Sequence, residues 1–560
     1  MVPPLLLFHL GRLPIRGMHS SVPVRSDRAT DSTPHILLRN RQSELPIVPV
    51  EIRADCIWRL RTLSSTINEM PLSNDDPRTN LPMPDEPLYE RLAEHYRRVI
   101  QAGTLAPGDR MPSVRAFMKQ HRVSLSTALQ TLRRLEDAGW LLAKPRAGYF
   151  VRRPVVSKLA SVQEPAVNAL PPGAQFVGLH ETISRVIERS HAFPDALNLG
   201  GATANAQFYP TSRLQALTMR LLRRRPTLLT EAGAPGGAME FRQAMAKRAL
   251  SYDVVVSPDE LIVTSGGIDA VNLALRAVAQ PGDTIAIESP AFFGLLQILE
   301  SLGLRALEIP TSPTTGISLE ALDVALSAYD TVKALVVVPH LQNPLGSVMP
   351  NERKADLVKL CARHGIVIIE DDPYRDLVEP ADAARPIKSW DRDGNVIYCP
   401  TLSKVFAPGI RLGWISAGRW HHRVKMLKFA QSRLSDTLPQ LVAAEFIDSG
   451  EFDRHLHRFR ERLRGQRDDM CDAIARYFPR DTRLSPPDGG MLLWVGLPEG
   501  VSSEKLFEAA LTQGIRVAPG SIFSNSNLFD SFIRVSCPKP FDHDMEMAIR
   551  RLGQLVETIA

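Results

Sequence analysis

From residue 1 to about 80 the apolar positions follow no period, and Pro, Ser, Arg and Asp are frequent. A stretch of that kind buries too little to order itself, so 1–85 reads as a disordered extension. Its opening, MVPPLLLFHLGRLPIRGMHSS, has the arginines and short apolar core of an organelle transit peptide. Prolines break it and it lacks a basic n-region, so it makes a poor secretory signal. A disordered or mis-started extension is the favoured reading. Regular pattern begins near Glu86. In PLYERLAEHYRRVIQAG, Leu88, Leu92, Tyr96 and Val99 recur at helical spacing, and Gly103 stops the run. Pro107-Gly108 then predicts a turn and Ser113 a helix cap, with Val114, Phe117 and Met118 inward. A third helix starts at Ser124, carries the stripe Leu125, Leu129, Leu132, and ends at Gly139. LLAKPRAGYFVRRP reads as two strands around a basic turn.

Three helices and a β-ribbon, with a short turn between helices two and three, predict a winged helix-turn-helix over 86–153. Residues 154–180 carry Pro and Ala without helical period and read as a linker. From 181 to 560 the pattern changes again. DELIVTSGG, DTIAIESP, VKALVVVPH, GIVIIEDD and NVIYCPTLS are β-branched apolar runs, each followed by a helix or loop. That alternation predicts an α/β domain with a mostly parallel sheet. After about residue 430 come a long arginine-rich helix and the strands DGGMLLWVGL and SFIRVSC, which predict a small C-terminal α+β subdomain.

Composition is that of an ordinary globular chain, 44% hydrophobic and 23% charged. Apolar runs fall short of the roughly 20 residues that span a bilayer. The five cysteines form no CxxC pair, which argues against a disulfide framework or a zinc site and fits a reducing cytoplasm. No metal is expected. Charge adds more. Residues 85–153 hold 13 Lys/Arg against 7 Asp/Glu, an excess equal to the net +6 of the whole chain. A basic module on a neutral body points to double-stranded DNA as a partner.

Helix three of such a module sets its N-terminal residues near base edges. Ser124, Ser126 and Thr127 stand there, and Arg110, Ser113 and Arg115 surround them. Arg146 and Gly148 occupy the wing turn. Singly, each arginine is a solvated charge and each hydroxyl a cap; together they agree on a DNA-reading face. The stretch GDRMPSVRAFMKQHRVSLSTALQTLRRLEDAGWLLAKPRAGYFV resembles the GntR family of bacterial transcription factors. Two positions where that family often has arginine are Leu125 and Leu129 here.

The larger domain carries four motifs, each suited to one need of a phosphorylated pyridine aldehyde. TSGGIDAV sets Gly267 and Ile268 at a helix start, where free N–H groups suit phosphate. QNPLG puts the Asn343 amide at a strand end. IIEDDPYRDL offers Asp371 to hold a ring nitrogen protonated and Tyr374 to donate to O3′. Asp372 reads as a helix cap. SKVFAPGIRLGW offers Lys404 as an amine for a Schiff base, with Ser403 and Arg411 for phosphate. Each motif alone is an ordinary turn, cap or structural lysine; the joint order at strand ends reverses that.

The order SGG, NPLG, DDPY, SKxxxPGxRxG resembles fold-type I aminotransferases that use pyridoxal phosphate. The resemblance implies Lys404 as the covalent lysine, Asp371 on the ring nitrogen, and Tyr374 and Asn343 on O3′. It also implies Phe292 stacked on the ring and Arg534, in SFIRVSC, on a substrate carboxylate. Two positions depart from the pattern. Ile268 and Asp269 replace a glutamine pair, and Ala232 stands where a tyrosine would cross the dimer to phosphate. A GntR-like module joined to an aminotransferase-like domain resembles the MocR subfamily. That implies a homodimeric regulator sensing a small amine or amino acid. The alternatives are a working aminotransferase with an appended DNA module, and a silent dimer scaffold.

Overall fold

The computed structural model describes residues 87–560 apart from 107, 145–147, 153–158, 164–172, 380–384 and 527. The expected extension 1–85 and the wing residue Arg146 lie outside the described residues. Helices α1 (Leu88–Gln101), α2 (Val114–His121) and α3 (Leu125–Asp137) are followed by strands β1 (Leu141–Lys144) and β2 (Gly148–Val151). β1 and β2 pair antiparallel, Leu141 opposite Val151, as a wing should. Ser113 and Ser124 cap α2 and α3 by accepting from the N–H groups of Ala116 and Thr127. Arg122 ends α2 in the left-handed region, at φ 53°.

The apolar stripes sit differently from expectation. Ala93, Tyr96 and Ile100 bury on α1, and Ala128, Thr131, Leu132 and Leu135 on α3. Leu88 and Leu125 are half exposed, whereas Phe117 is fully buried between the helices. Ala93 and Ala128 take buried positions, and Leu88 and Leu125 lie toward the rim.

Eight strands of the large sheet run in the order Gln175–Phe176, Arg305–Ser312, Thr284–Ser289, Val332–Val337, Val367–Asp372, Val396–Pro400, Gly413–Ser416, Leu261–Thr264. The run from Arg305–Ser312 to Val396–Pro400 is parallel. Gly413–Ser416 is antiparallel to both neighbours, so Leu261–Thr264 points with the parallel strands. Direction has a consequence for the site. The segments that follow Leu261–Thr264, Thr284–Ser289, Val332–Val337, Val367–Asp372 and Val396–Pro400 all leave from one edge of the sheet. The smaller subdomain has a sheet of Arg483–Leu484, Leu492–Gly496, Phe532–Ser536 and Ala518–Pro519.

The stretch read as a linker is partly built into the fold. Gln175–Phe176 adds an edge strand to Arg305–Ser312, Leu484 donates its N–H to the Ala160 carbonyl, and Val162 and Val177 are buried. Short strand additions of this kind carry no periodicity for a sequence to show. The winged helix and the larger domain fall in one compact unit, Leu81–Ala560.

Phe117 offers a test of the small core. Phe117→Ala should destabilise the winged helix by about 3–5 kcal/mol. Amide exchange across residues 88–151 should rise accordingly, with protection of the large sheet unchanged.

Candidate cofactor site and nucleic-acid face

The shared sheet edge gathers the chemistry. Gly267, Ile268, Phe292, Asn343, Asp371, Tyr374, Ser403, Lys404 and Arg411 all line one cavity. They come from five separate segments, and only the strand directions bring them together. Arg534 reaches the same place from the smaller subdomain, donating from Nη1 to Asn343 Oδ1 at 2.8 Å.

Lys404 follows Val396–Pro400 and is largely buried. Its Nζ donates to the Ala202 carbonyl at 2.8 Å and lies 5.8 Å from the centre of the Tyr374 ring. Burial, then Arg534 and Arg411, lower its pKa to about 8; Asp371 pulls the other way. Asp371 is raised to about 7 by burial and then by Asp372. A carboxyl held there takes a cationic partner readily, because pairing relieves both penalties. Tyr374 bonds to Asn343, and burial first of all raises its phenol to about 12. It therefore keeps its proton as a donor.

The phosphate end is shaped by backbone. Gly266 precedes the helix Gly267–Val278 at φ 89°, and a Cβ there would meet Arg411 Nη2 at 3.1 Å and Ser403 Oγ at 3.4 Å. Arg411, exposed, holds to the Ser265 carbonyl at 3.4 Å. A helix N-terminus, a serine and a guanidinium thus face one small space, the donor set of a phosphate cradle. Arg534 adds a buried Nε with no hydrogen-bond partner, and burial lowers its pKa to about 10. An unmatched buried cation of this kind fits a carboxylate. On these observations the residues present suit pyridoxal phosphate and an anionic ligand beside it.

Three details differ from the sequence reading. Asp372 caps no helix. Successive strand residues face opposite sides, so Asp371 looks into the cavity and Asp372 away from it. Asp372 accepts from His340 Nδ1 at 2.8 Å and from the Tyr398 hydroxyl at 2.9 Å. Burial disfavours its charge, yet His340 and Arg375 hold it below the ordinary carboxyl value. Asp269 is engaged too: it pairs with buried Lys428 at 3.0 Å and accepts the Ser265 N–H. Tyr209 was missed. Its hydroxyl donates to the Lys404 carbonyl at 3.4 Å, but it sits in the irregular turn after Asn205, where no strand end marked it. Ala232 is exposed and contributes no ring.

On the winged helix, Arg110, Ser113, Arg115, Ser124 and Ser126 are exposed and Thr127 is partly so. Ser124 Oγ bonds to the hydroxyls of Ser126 and Thr127 at 2.8 and 2.9 Å, forming one polar cluster at the start of α3. Gly148 opens the wing strand at φ 95°, and the Arg110 guanidinium lies 3.7 Å from where a Cβ would stand. Arg110 therefore shares the wing end.

Comparison with known proteins settles the family. Residues 225–552 match the aminotransferase class I and II family, and 88–151 match the bacterial regulatory proteins of the gntR family. The HTH-type transcriptional regulators YjiR and YdcR of Escherichia coli are 34% and 32% identical, each over 84% of this chain and 98% and 99% of their own length. The chain belongs to the MocR-type regulators. MocR-type proteins join DNA binding to an aminotransferase-like fold, and the cofactor is pyridoxal phosphate. Among solved structures, a kynurenine aminotransferase of Pyrococcus horikoshii is 26% identical, with TM-score 0.63 over 68% of this chain and 94% of that one. Aromatic-amino-acid aminotransferase 1 of Thermococcus litoralis is 28% identical over 65% of this chain. Among the described residues no helix is long and apolar enough to cross a membrane.

The lowered Lys404 pKa makes a kinetic prediction. At pH 7 roughly one amine in ten is uncharged, against about one in three thousand for an ordinary lysine. Cofactor-free protein should take up pyridoxal phosphate faster as pH rises, levelling off above about 8. Absorbance measures the rate, and borohydride reduction with peptide mapping places the label. A rate still climbing toward pH 10, or a label away from Lys404, would contradict the geometry.

Proposed function

We propose that this regulator binds promoter DNA as a homodimer through α2, α3 and the β1–β2 wing, and senses an amino acid or amine at Lys404. The observation that carries the reading is Lys404 itself, a largely enclosed amine of lowered proton affinity in one cavity with Ser403, Arg411 and the start of the Gly267–Val278 helix. Ser124, Ser126, Thr127, Ser113, Arg110, Arg115, Arg146 and Gly148 form the DNA face. Gly267, Ile268, Ser403 and Arg411 hold the phosphate. Asp371 keeps a proton on the ring nitrogen, Tyr374 and Asn343 orient O3′, and Phe292 covers the ring. Arg534 receives the ligand carboxylate. Pyridoxal phosphate, when bound, supplies an electrophilic aldehyde and an electron-accepting ring.

For sensing to follow, the ligand must favour one arrangement of the DNA module over another. Gel-shift titration tests this with cofactor-free protein, loaded protein, and loaded protein with amino acids or polyamines. Affinities should differ by about fivefold or more, the lower range of allosteric coupling. Equal affinity in every state would sink the sensing reading.

A working aminotransferase is the second reading, and Arg534 favours it. A carboxylate clamp beside Asp371 and Lys404 is the equipment of amino-acid chemistry as well as of recognition. Sustained turnover with an amino donor and a 2-oxo acid would establish it.

A further inference from the structure

The Glu451–Tyr477 helix carries a cluster of arginines that the cofactor reading does not use. One of them, Arg464, is 9% exposed in its side chain. Its three donor nitrogens point to two different modules. Nη1 and Nη2 each donate at 2.6 Å, to the carbonyls of Glu136 and Asp137. Those carbonyls close α3, the helix that begins at the DNA face. Nε donates to the Glu379 carboxylate, whose side chain is also 9% exposed.

Glu379 lies five positions after Tyr374 in the chain. The residues between are firmly seated. Leu377 and Val378 are fully buried, the Leu377 carbonyl accepts from Gly490 N–H, and the Glu379 N–H donates to the Asp488 carbonyl. Asp376 is paired with Arg248 at 3.1 Å, and Arg460 donates to its carbonyl at 3.0 Å. A short packed turn moves as a body, because close-packed interiors absorb little displacement. A shift at Tyr374 therefore arrives at Glu379.

We propose that Tyr374–Glu379 and Arg464 form the link by which the cofactor cavity acts on the DNA-reading helix. Arg464 is a positioning residue in this link, with its guanidinium either seated on the α3 carbonyls or released from them. The fork matters more than the charge: three acceptors in fixed directions suit guanidinium and not an ammonium. The site is also intolerant of partial engagement. Glu379 Oε1 has no hydrogen-bond partner, and Arg467 stands 3.8 Å away from the carboxylate. A turn of Glu379 thus costs Arg464 a strong partner. A second tie, Arg152 to Asp468, holds the end of the wing to the same helix and acts as a pivot.

The proposal rests on the ligand-sensing reading above, and the test separates the two. Amide exchange of residues 125–139 is measured on the full chain, with and without pyridoxal phosphate, for the native protein and Arg464→Lys. Absorbance verifies cofactor binding in both. The native α3 should change protection by roughly fivefold or more on cofactor binding, in line with typical coupling. In Arg464→Lys that difference should vanish while cofactor absorbance is retained. A purely structural Arg464 would instead lower protection equally in both states and leave the difference intact, which overturns the link. So does a native α3 that does not respond although the cofactor binds. Absence of cofactor absorbance in the native protein would overturn the sensing reading and the link with it.

Discussion

The structure turns on lowering the proton affinity of one amine where water is scarce. A lysine in bulk water is protonated far above neutral pH and cannot attack a carbonyl. Burial removes the hydration that favours the ammonium, and Arg534 and Arg411 add repulsion, bringing Lys404 to about 8. Stronger desolvation alone would work against the fold, because a buried unpaired charge is costly. The site avoids that with the Ala202 carbonyl at 2.8 Å and with Asp371 nearby. The parallel sheet makes the arrangement possible: strand ends that leave one edge put the amine, the carboxyl and the phosphate cradle within one cavity.

Much of this was legible because the sequence punctuates strand ends. Val-, Ile- and Ala-rich runs mark buried strands, and the residues just after them must lie at the sheet edge. Lys404, Asp371 and Asn343 follow such runs, so their meeting at one cavity could be anticipated from order alone. What escaped was set by packing. Tyr209 sits in a turn with no strand before it. Asp372 looked like a cap, but strand alternation turns it to the far side of the sheet, against His340. The leucine stripes of α1 and α3 were displaced for a related reason: helical period gives a face, while tertiary packing decides which part of that face is buried.

The replacements near the phosphate end show how a local rule can be broken and compensated. Asp269 brings a carboxylate to the first turn of a helix that should welcome phosphate. Unpaired, it would repel that phosphate. Buried Lys428 pairs with it at 3.0 Å, and it also accepts the Ser265 N–H. The helix N-terminus, where a negative side chain is favourable in any case, tolerates the exchange. The donor set around Gly266 is left facing Ser403 and Arg411.

The same electrostatics ties ligand recognition to Lys404. Arg534 is the largest charge that holds the lysine down, and it keeps one donor, Nε, without a partner. A carboxylate bound there would neutralise Arg534. Its repulsion of Lys404 would then fall, and the amine would become easier to protonate. An amine without a carboxylate leaves Arg534 charged and Lys404 less basic. On the proposed reading, contact with Arg534 is what distinguishes amino acids from simple amines in this cavity.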